Sequence, residues 1–404
     1  MLQGAGCTTV KVIVMLFCLL VWTPSQVFAA QSFAEVEDAA GGSKVKWFMW
    51  GGSPTINSWV DTYVADQVKK RFDITLKRVP ADAAIFINKL LTEKQTNRDK
   101  GTMDLLWING ENFKNAMEND LLHGPITQQL PNFRYIDPAT VEYDFGFPVR
   151  GYEAPYGRAQ FVFEYDSAKV ATPPQSFGEL KKWVKGHPGK FTYPSPPDFT
   201  GSAFIRQAFY ALTGGHEQYM HGVDEELFQK NAPKLWDYLN EIEPYLWQKG
   251  GTYPKDIAAL DTLFERGEVL MNMSYHQANA QSKILQGRYP ESVRTFVLED
   301  GSIFNTHFTA IPYNAPNRAG ALVVANFLLS PEAQLHKNNP ENWGDFTALD
   351  LDRLPPDMRQ RFASLDLGAA TLSLAELADG AVPEIPSGYL ELLERDWEKH
   401  VLRN

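Results

Sequence analysis

The order of apolar and polar positions along this chain divides it into alternating short strands and amphipathic helices. Val45-Lys46-Trp47-Phe48-Met49-Trp50 is an apolar run that stops at Gly51-Gly52, and Ser53-Pro54 then offers an N-cap with proline at the first helical position. Val60, Tyr63, Val64, Val68 and Phe72 recur at helical spacing. A strand is predicted over Ile74–Val79 and a helix over Ala83–Gln95. A second buried strand, Met103–Ile108, breaks at Asn109-Gly110-Glu111-Asn112. Strand–helix alternation of this kind predicts an α/β lobe with a largely parallel sheet. Leu122–Pro148 is rich in turn residues, and Phe161–Tyr165 again reads as strand.

A second set of elements follows. Ser176 and Glu179 have the spacing of a capping box, and Lys190–Pro194 reads as a strand. Thr200-Gly201-Ser202 opens a helix bearing Ile205, Ala208, Phe209 and Leu212, stopped by Gly214-Gly215. Helices are predicted over Leu235–Leu246 and Ile257–Arg266. Buried strands are predicted over Glu268–Tyr275 and Val293–Leu298. Ser302–Pro312 is extended, Asn314–Asn317 turns with Pro316 barring a continuous helix, and Ala319–Leu329 is an apolar helix closed by Ser330-Pro331. Beyond Gln334 the chain is helical and acidic.

The first thirty residues follow another pattern. Lys11 precedes the apolar run Val12–Trp22, and Val27-Phe28-Ala29-Ala30 ends in small residues, as in a cleaved secretory leader. The apolar core is shorter than the about 20 residues of a spanning helix, and Pro24 interrupts it. Both cysteines, Cys7 and Cys18, fall inside this leader, so the mature chain is expected to carry no thiol, disulfide or lipid anchor. Gln31–Ser43 reads as a small, polar, mobile N-terminal arm. The net charge of −11 argues against nucleic acid or an anionic membrane as partner. Ten tryptophans and 13% aromatic residues suit a cleft that stacks rings or cations.

Enzyme signatures are mostly wanting. His216-Glu217 is followed by His221, one residue too far for the zinc arrangement with histidines one helical turn apart. No nucleophile elbow or phosphate-cradling loop occurs. A secreted α/β hydrolase using a loop serine is the alternative that these absences leave open. No metal or cofactor is implied.

The stretch Gly301–Gln334, GSIFNTHFTAIPYNAPNRAGALVVANFLLSPEAQ, resembles the return segment of extracytoplasmic solute-binding proteins of ABC importers, in the type 2 periplasmic-binding-protein class. The resemblance implies an α/β fold of two lobes, each a mostly parallel sheet flanked by helices, with the ligand cleft between them. The boundaries that follow are a leader at 1–30, lobe 1 at 44–157 and 299–336, lobe 2 at 161–292, and a C-terminal helical part at 343–404 packing on lobe 2. It also implies a periplasmic monomer that captures a small solute, delivers it to an ABC transporter membrane permease, and hinges at Tyr156–Gln160 and Val293–Glu299.

Ligands of such sheets sit beyond the strands' carboxyl ends. The expected ligand set is therefore Trp50, Gly51, Gly52, Asn109 and Glu111 from lobe 1. Thr200 and Ser202 join it from a helix N-terminus, Tyr275 from a strand end, and Asn305 from the return strand. Free amides at that helix start suit a polar or anionic group, with an ordinary N-cap the equal alternative. Trp50, Trp107 and Tyr275 with Glu111 suit a cationic or ring-bearing solute, such as a thiamine-like compound or a polyamine. A sugar fits the hydroxyls equally. Arg158 and Gln160 are further candidates to face the ligand, with an interlobe ion pair the alternative for Arg158. The Asn272-Met273-Ser274 sequon lies in a predicted buried strand and is discounted.

Overall fold

A computed structural model describes Met1, Gly4 and residues 32–402; the leader and both cysteines lie outside the described residues. In chain order the strands are β1 (Lys44–Met49), β2 (Thr75–Pro80), β3 (Leu105–Ile108), β4 (Leu122–His123), β5 (Tyr143–Asp144) and β6 (Phe147–Pro148). Then come β7 (Glu153–Gln160), β8 (Val162–Asp166), β9 (Met271–Ser274), β10 (Val293–Phe296), β11 (Ser302–Pro312) and β12 (Ala381–Pro383). Among the described residues they form a seven-stranded sheet ordered β12-β11-β3-β1-β2, with β4 and β7 also on β11, a three-stranded sheet β10-β8-β9, and the small hairpin β5-β6.

The first sheet is mixed. β1 pairs in parallel with β2 and β3, as the strand–helix alternation predicts. β11 runs antiparallel to β3 and β7 because it returns from the other lobe. The second sheet corrects the expectation of a mostly parallel one: β8 is antiparallel to both β9 and β10. The predicted strand at Lys190–Pro194 joins no ladder; Lys190 and Phe191 spend their carbonyls on the amides of Leu270 and Trp247.

Each sheet has its own apolar core. Val45, Trp47, Leu105, Ile108 and Phe308 centre the first, and Phe161, Phe163, Phe204, Met271 and Met273 the second. The return helix Arg318–Leu328 lies directly on β1, where a side chain on Gly320 would strike Val45 and Ser43. The expected N-terminal arm is instead the helix Phe33–Ala40, which buries Val36 and Ala40 against that return helix. The C-terminal part also divides. Trp343, Leu349, Leu354, Met358 and Phe362 join the first core, whereas Tyr389, Leu393 and Trp397 join the second. Its assignment to lobe 2 alone is therefore corrected: segment 343–362 belongs to lobe 1.

The chain passes between sheets at Phe161, where β7 ends and β8 begins. Phe161 bonds there to β11: its N–H donates to Ile303 O at 2.8 Å, and its carbonyl accepts from Ser302 Oγ at 2.5 Å. The two passages thus lie side by side. Asn272 is fully buried and donates to Glu164, Asp261 and Tyr289, so the sequon serves the core.

Candidate functional site

Three segments meet where the two sheets face each other. From lobe 1, the helix Gly110–Glu118 starts directly after β3. Gly110 adopts φ +61°, and its N–H donates to Asp144 Oδ2 of the β5-β6 hairpin at 2.5 Å. From lobe 2 comes the helix Phe199–Thr213 with Tyr275 at the end of β9. The third is the C-terminal segment, where β12 pairs with β11 and leads through Glu384 into the helix Ser387–Trp397.

At the centre is Arg206, whose side chain has no exposure. Its Nε and Nη2 donate to the two oxygens of Glu384 at 2.8 and 2.9 Å. Nη1 donates to Ser202 Oγ at 2.8 Å, and Ser202 donates onward to Glu394 Oε1 at 2.6 Å. Tyr275 OH donates to Glu384 Oε1 at 2.6 Å. The guanidinium lies 5.8 Å from the ring of Phe145, at the β5-β6 turn and packed into the second core, and 5.5 Å from that of Phe199. Burial alone would lower the Arg206 pKa, but the charge and hydrogen bonds of Glu384 outweigh it and raise it.

The remaining carboxyls lack such compensation. Burial raises Glu111, with Glu394 adding to the rise and only Arg206 and a backbone amide opposing it. Burial also raises Glu394. Asp144, fully enclosed, is pushed well above the usual carboxyl range by burial, with Glu111 and Glu384 adding to it. Among the described residues Arg206 is thus the single guanidinium beside several desolvated carboxyls, and it is already bidentate to Glu384.

The floor, along the return strand, holds polar atoms without partners. Both amide atoms of Asn305 and His307 Nδ1 are buried with no hydrogen-bond partner among the described residues, and a buried polar group left unbonded costs about 1–3 kcal/mol. Burial pushes His276 down to about 4. Beneath them Asp345 accepts from His307 Nε2 at 3.1 Å and Lys337 Nζ at 2.6 Å, surrounded by Trp107, Tyr156 and Trp343.

Of the expected ligand residues, Glu111, Ser202 and Tyr275 come together around Arg206. Asn109 stands at the N-cap of the helix carrying Glu111, with no side-chain capping bond. Asn305 lies on the floor. Trp50, Gly51 and Gly52 form a separate strand end at the mouth: Trp50 is 41% exposed, and a side chain on Gly52 would collide with its ring. Nearby, Gln286 of lobe 2 donates to Thr55 Oγ1 at 3.1 Å across the opening.

Of the two readings of Thr200–Ser202, the structure gives the ordinary N-cap. Asp198 caps that helix, accepting from Thr200 N and Gly201 N at 3.0 and 2.9 Å, so its positive end is already neutralised. Arg158 neither crosses the lobes nor reaches the centre; its Nη2 donates to Thr140 Oγ1 at 2.7 Å. Gln160 donates to Leu377 O at 2.8 Å.

Sequence reasoning missed Asp144, Phe145, Phe199, Arg206, Glu384 and Glu394. For Arg206 a signal existed: a charged residue inside the run Ala203–Leu212, apolar almost throughout, needs a buried partner. For Glu384 there was none, because its partner lies 178 positions away.

Residues 63–338 match the family described as bacterial extracellular solute-binding protein. Protein YnjB of Escherichia coli (strain K12) is 38% identical over 371 residues, spanning 91% of this chain and 93% of that one. The periplasmic binding protein AfuA from Actinobacillus pleuropneumoniae, solved with exogenous fructose-6-phosphate bound, superposes with a TM-score of 0.62 at 15% identity. It covers 90% of this chain and 99% of its own. The spermidine/putrescine substrate-binding protein PotD from Streptococcus pneumoniae gives 0.62 at 16% identity, covering 89% and 99%. At such identities the two structures establish the two-lobed fold alone.

Proposed function

The chain belongs to the bacterial extracellular solute-binding proteins, and from that premise we propose that it takes a cationic solute into the junction around Arg206. The observation that carries this reading is the imbalance of charge there. Glu111, Asp144 and Glu394 are desolvated, and the one guanidinium among them is committed to Glu384. A protonated amine or a thiazolium-like ring supplies the missing positive charge, and the exposed rings of Trp50 and Phe199 offer faces to it. An anion such as a sugar phosphate would need a free cation, and Arg206 is not free. The spermidine/putrescine assignment of PotD agrees in charge.

Trp50, Gly51, Gly52, Asn109, Glu111, Ser202, Tyr275 and Asn305 remain the proposed contacts, with Asp144 and Phe199 added; Thr200 keeps a place only through its side chain. Contacts on both lobes favour the closed arrangement, so binding shifts a pre-existing equilibrium, with Tyr156–Gln160 and Val293–Glu299 as the hinging passages. The chain works in the periplasm after loss of its leader and hands its solute, unchanged, to the membrane permease of an ABC importer.

The test is thermal unfolding of the mature protein, stripped by denaturation and refolding, against spermidine, putrescine, thiamine, neutral sugars and fructose-6-phosphate. A cation at a hundred times its dissociation constant adds about 2.7 kcal/mol and is recovered intact. Stabilisation by the sugar phosphate but no cation overturns the charge assignment. A hit that is consumed overturns the receptor reading.

A further inference from the structure

We propose that Arg206 and Tyr275, with Ser202 holding the third guanidinium nitrogen, form a ready-made carboxylate receptor that Glu384 fills from within the chain, which makes Glu384 the residue that sets the charge selectivity of the cleft. The inference rests on the reading of this junction as the solute site.

The geometry is that of a bound anion. Two parallel N–H donors of one guanidinium meet the two oxygens of Glu384 at 2.8 and 2.9 Å, and the Tyr275 hydroxyl adds a third bond at 2.6 Å. Such fork-to-fork pairing is the arrangement with which proteins hold free carboxylates. Both partners are dry, the arginine side chain at 0% and the glutamate side chain at 3% exposure. The rings of Phe145 and Phe199 flank the guanidinium.

What fills this receptor arrives from far along the chain. Arg206 and Tyr275 lie inside the family-matched region, whereas Glu384 follows it by more than forty residues. It is carried on a strap fixed at both ends. β12 pairs with Ser302–Phe304 of β11, and the Ser387 N–H donates to Phe145 O at 3.3 Å. Pro386 packs on Gly146, where a side chain would press on its ring. The strap thus presents Glu384 at a set depth, and the cleft loses its one cation to an internal partner. Without that carboxylate the same donors are left unpaired and form an anion site.

The test removes the carboxylate and offers it back. Glu384→Ala lacks a CH2COO⁻ unit, which acetate replaces. Wild-type protein is expected to unfold at the same midpoint in sodium acetate as in sodium chloride of equal ionic strength. Glu384→Ala is expected to unfold at a lower midpoint in chloride and to be raised saturably by acetate. Adding Arg206→Met abolishes that response, and adding Tyr275→Phe weakens the acetate affinity about tenfold, as expected for a hydrogen bond to a charged group. Recovery of Glu384→Ala only from acetate-containing refolding buffer is the same result in stronger form. If it folds in neither salt, Glu384→Gln, which keeps the shape, is read instead. The expectation is then at least a tenfold loss of spermidine affinity and a new stabilisation by inorganic phosphate.

A folded Glu384→Ala indifferent to acetate, a wild type raised equally by acetate, or a Glu384→Gln unchanged toward both probes overturns the proposal. Failure of wild type to take any cation overturns the cationic-solute reading instead, because the acetate comparison is made without a cationic probe.

Discussion

Lys337→Met removes an ammonium with no exposed surface while keeping most of its apolar stem. In the wild type Nζ donates to Asp345 Oδ2 at 2.6 Å, to Tyr156 O, and to Phe346 O at 3.4 Å. It lies 5.4 and 5.3 Å from the rings of Tyr156 and Trp343. Lys337 and His307 hold Asp345 below the usual carboxylate range despite its burial. Gly157 makes the approach possible, since any side chain there would collide with Lys337 and Asp345. The variant leaves Asp345, also at 0% exposure, with His307 Nε2 as the remaining side-chain partner of its carboxylate. Breaking a buried pair from one side costs about 3–5 kcal/mol, and two carbonyls lose a donor as well.

Urea unfolding followed by tryptophan fluorescence measures the loss, with Lys337→Met/Asp345→Asn as the control. The double variant is expected to recover part of it, because no charge is then stranded. A loss under about 1 kcal/mol in the single variant, or a double variant worse than the sum of its parts, refutes the argument. The pair also joins Tyr156, at the start of the proposed hinge, to the segment after the return helix. Solute affinity is therefore expected to fall along with stability.

Three further expectations follow from the geometry. Trp50→Ala and Phe199→Ala remove rings that are 41% and 42% exposed, so stability should move by less than about 0.5 kcal/mol while affinity for a ring-bearing cation falls severalfold. Unchanged affinity in both refutes their role. Burial raises the pKa values of Glu111 and Asp144, and a cation favours their ionised forms. Affinity for spermidine should therefore drop as pH falls from 8 to 5; calorimetry showing tighter binding at pH 5 refutes the assignment. Glu164, raised by burial to about 7 beside Asp261, binds a proton in the folded state that the unfolded chain gives up near pH 4. Its contribution is present at low pH and fades as pH rises through 7, by up to roughly 3 kcal/mol. Glu164→Gln should remove that slope from stability measured between pH 5 and 8, and an unaltered slope refutes it.

The legible part of this protein is its local order. The alternation of β1, β2 and β3 with helices, the 11-residue return strand Ser302–Pro312 and the helix after it were all readable from hydrophobic period, caps and prolines, because neighbours in sequence specify those elements. So were the ends of β1 and β3, where the apolar runs stop just before Trp50-Gly51-Gly52 and Asn109-Gly110-Glu111. What tertiary structure alone decided is who neutralises whom. Asp198 rather than an anion takes the amides of Thr200 and Gly201. Glu384 takes Arg206, Asp345 takes Lys337, and the second sheet is antiparallel because β8 leaves one lobe as β10 prepares to return to it. Periodicity records which side of an element is dry. It carries no record of which distant charge will share that dry space, and in a low-dielectric interior that choice of partner sets the chemistry of the site.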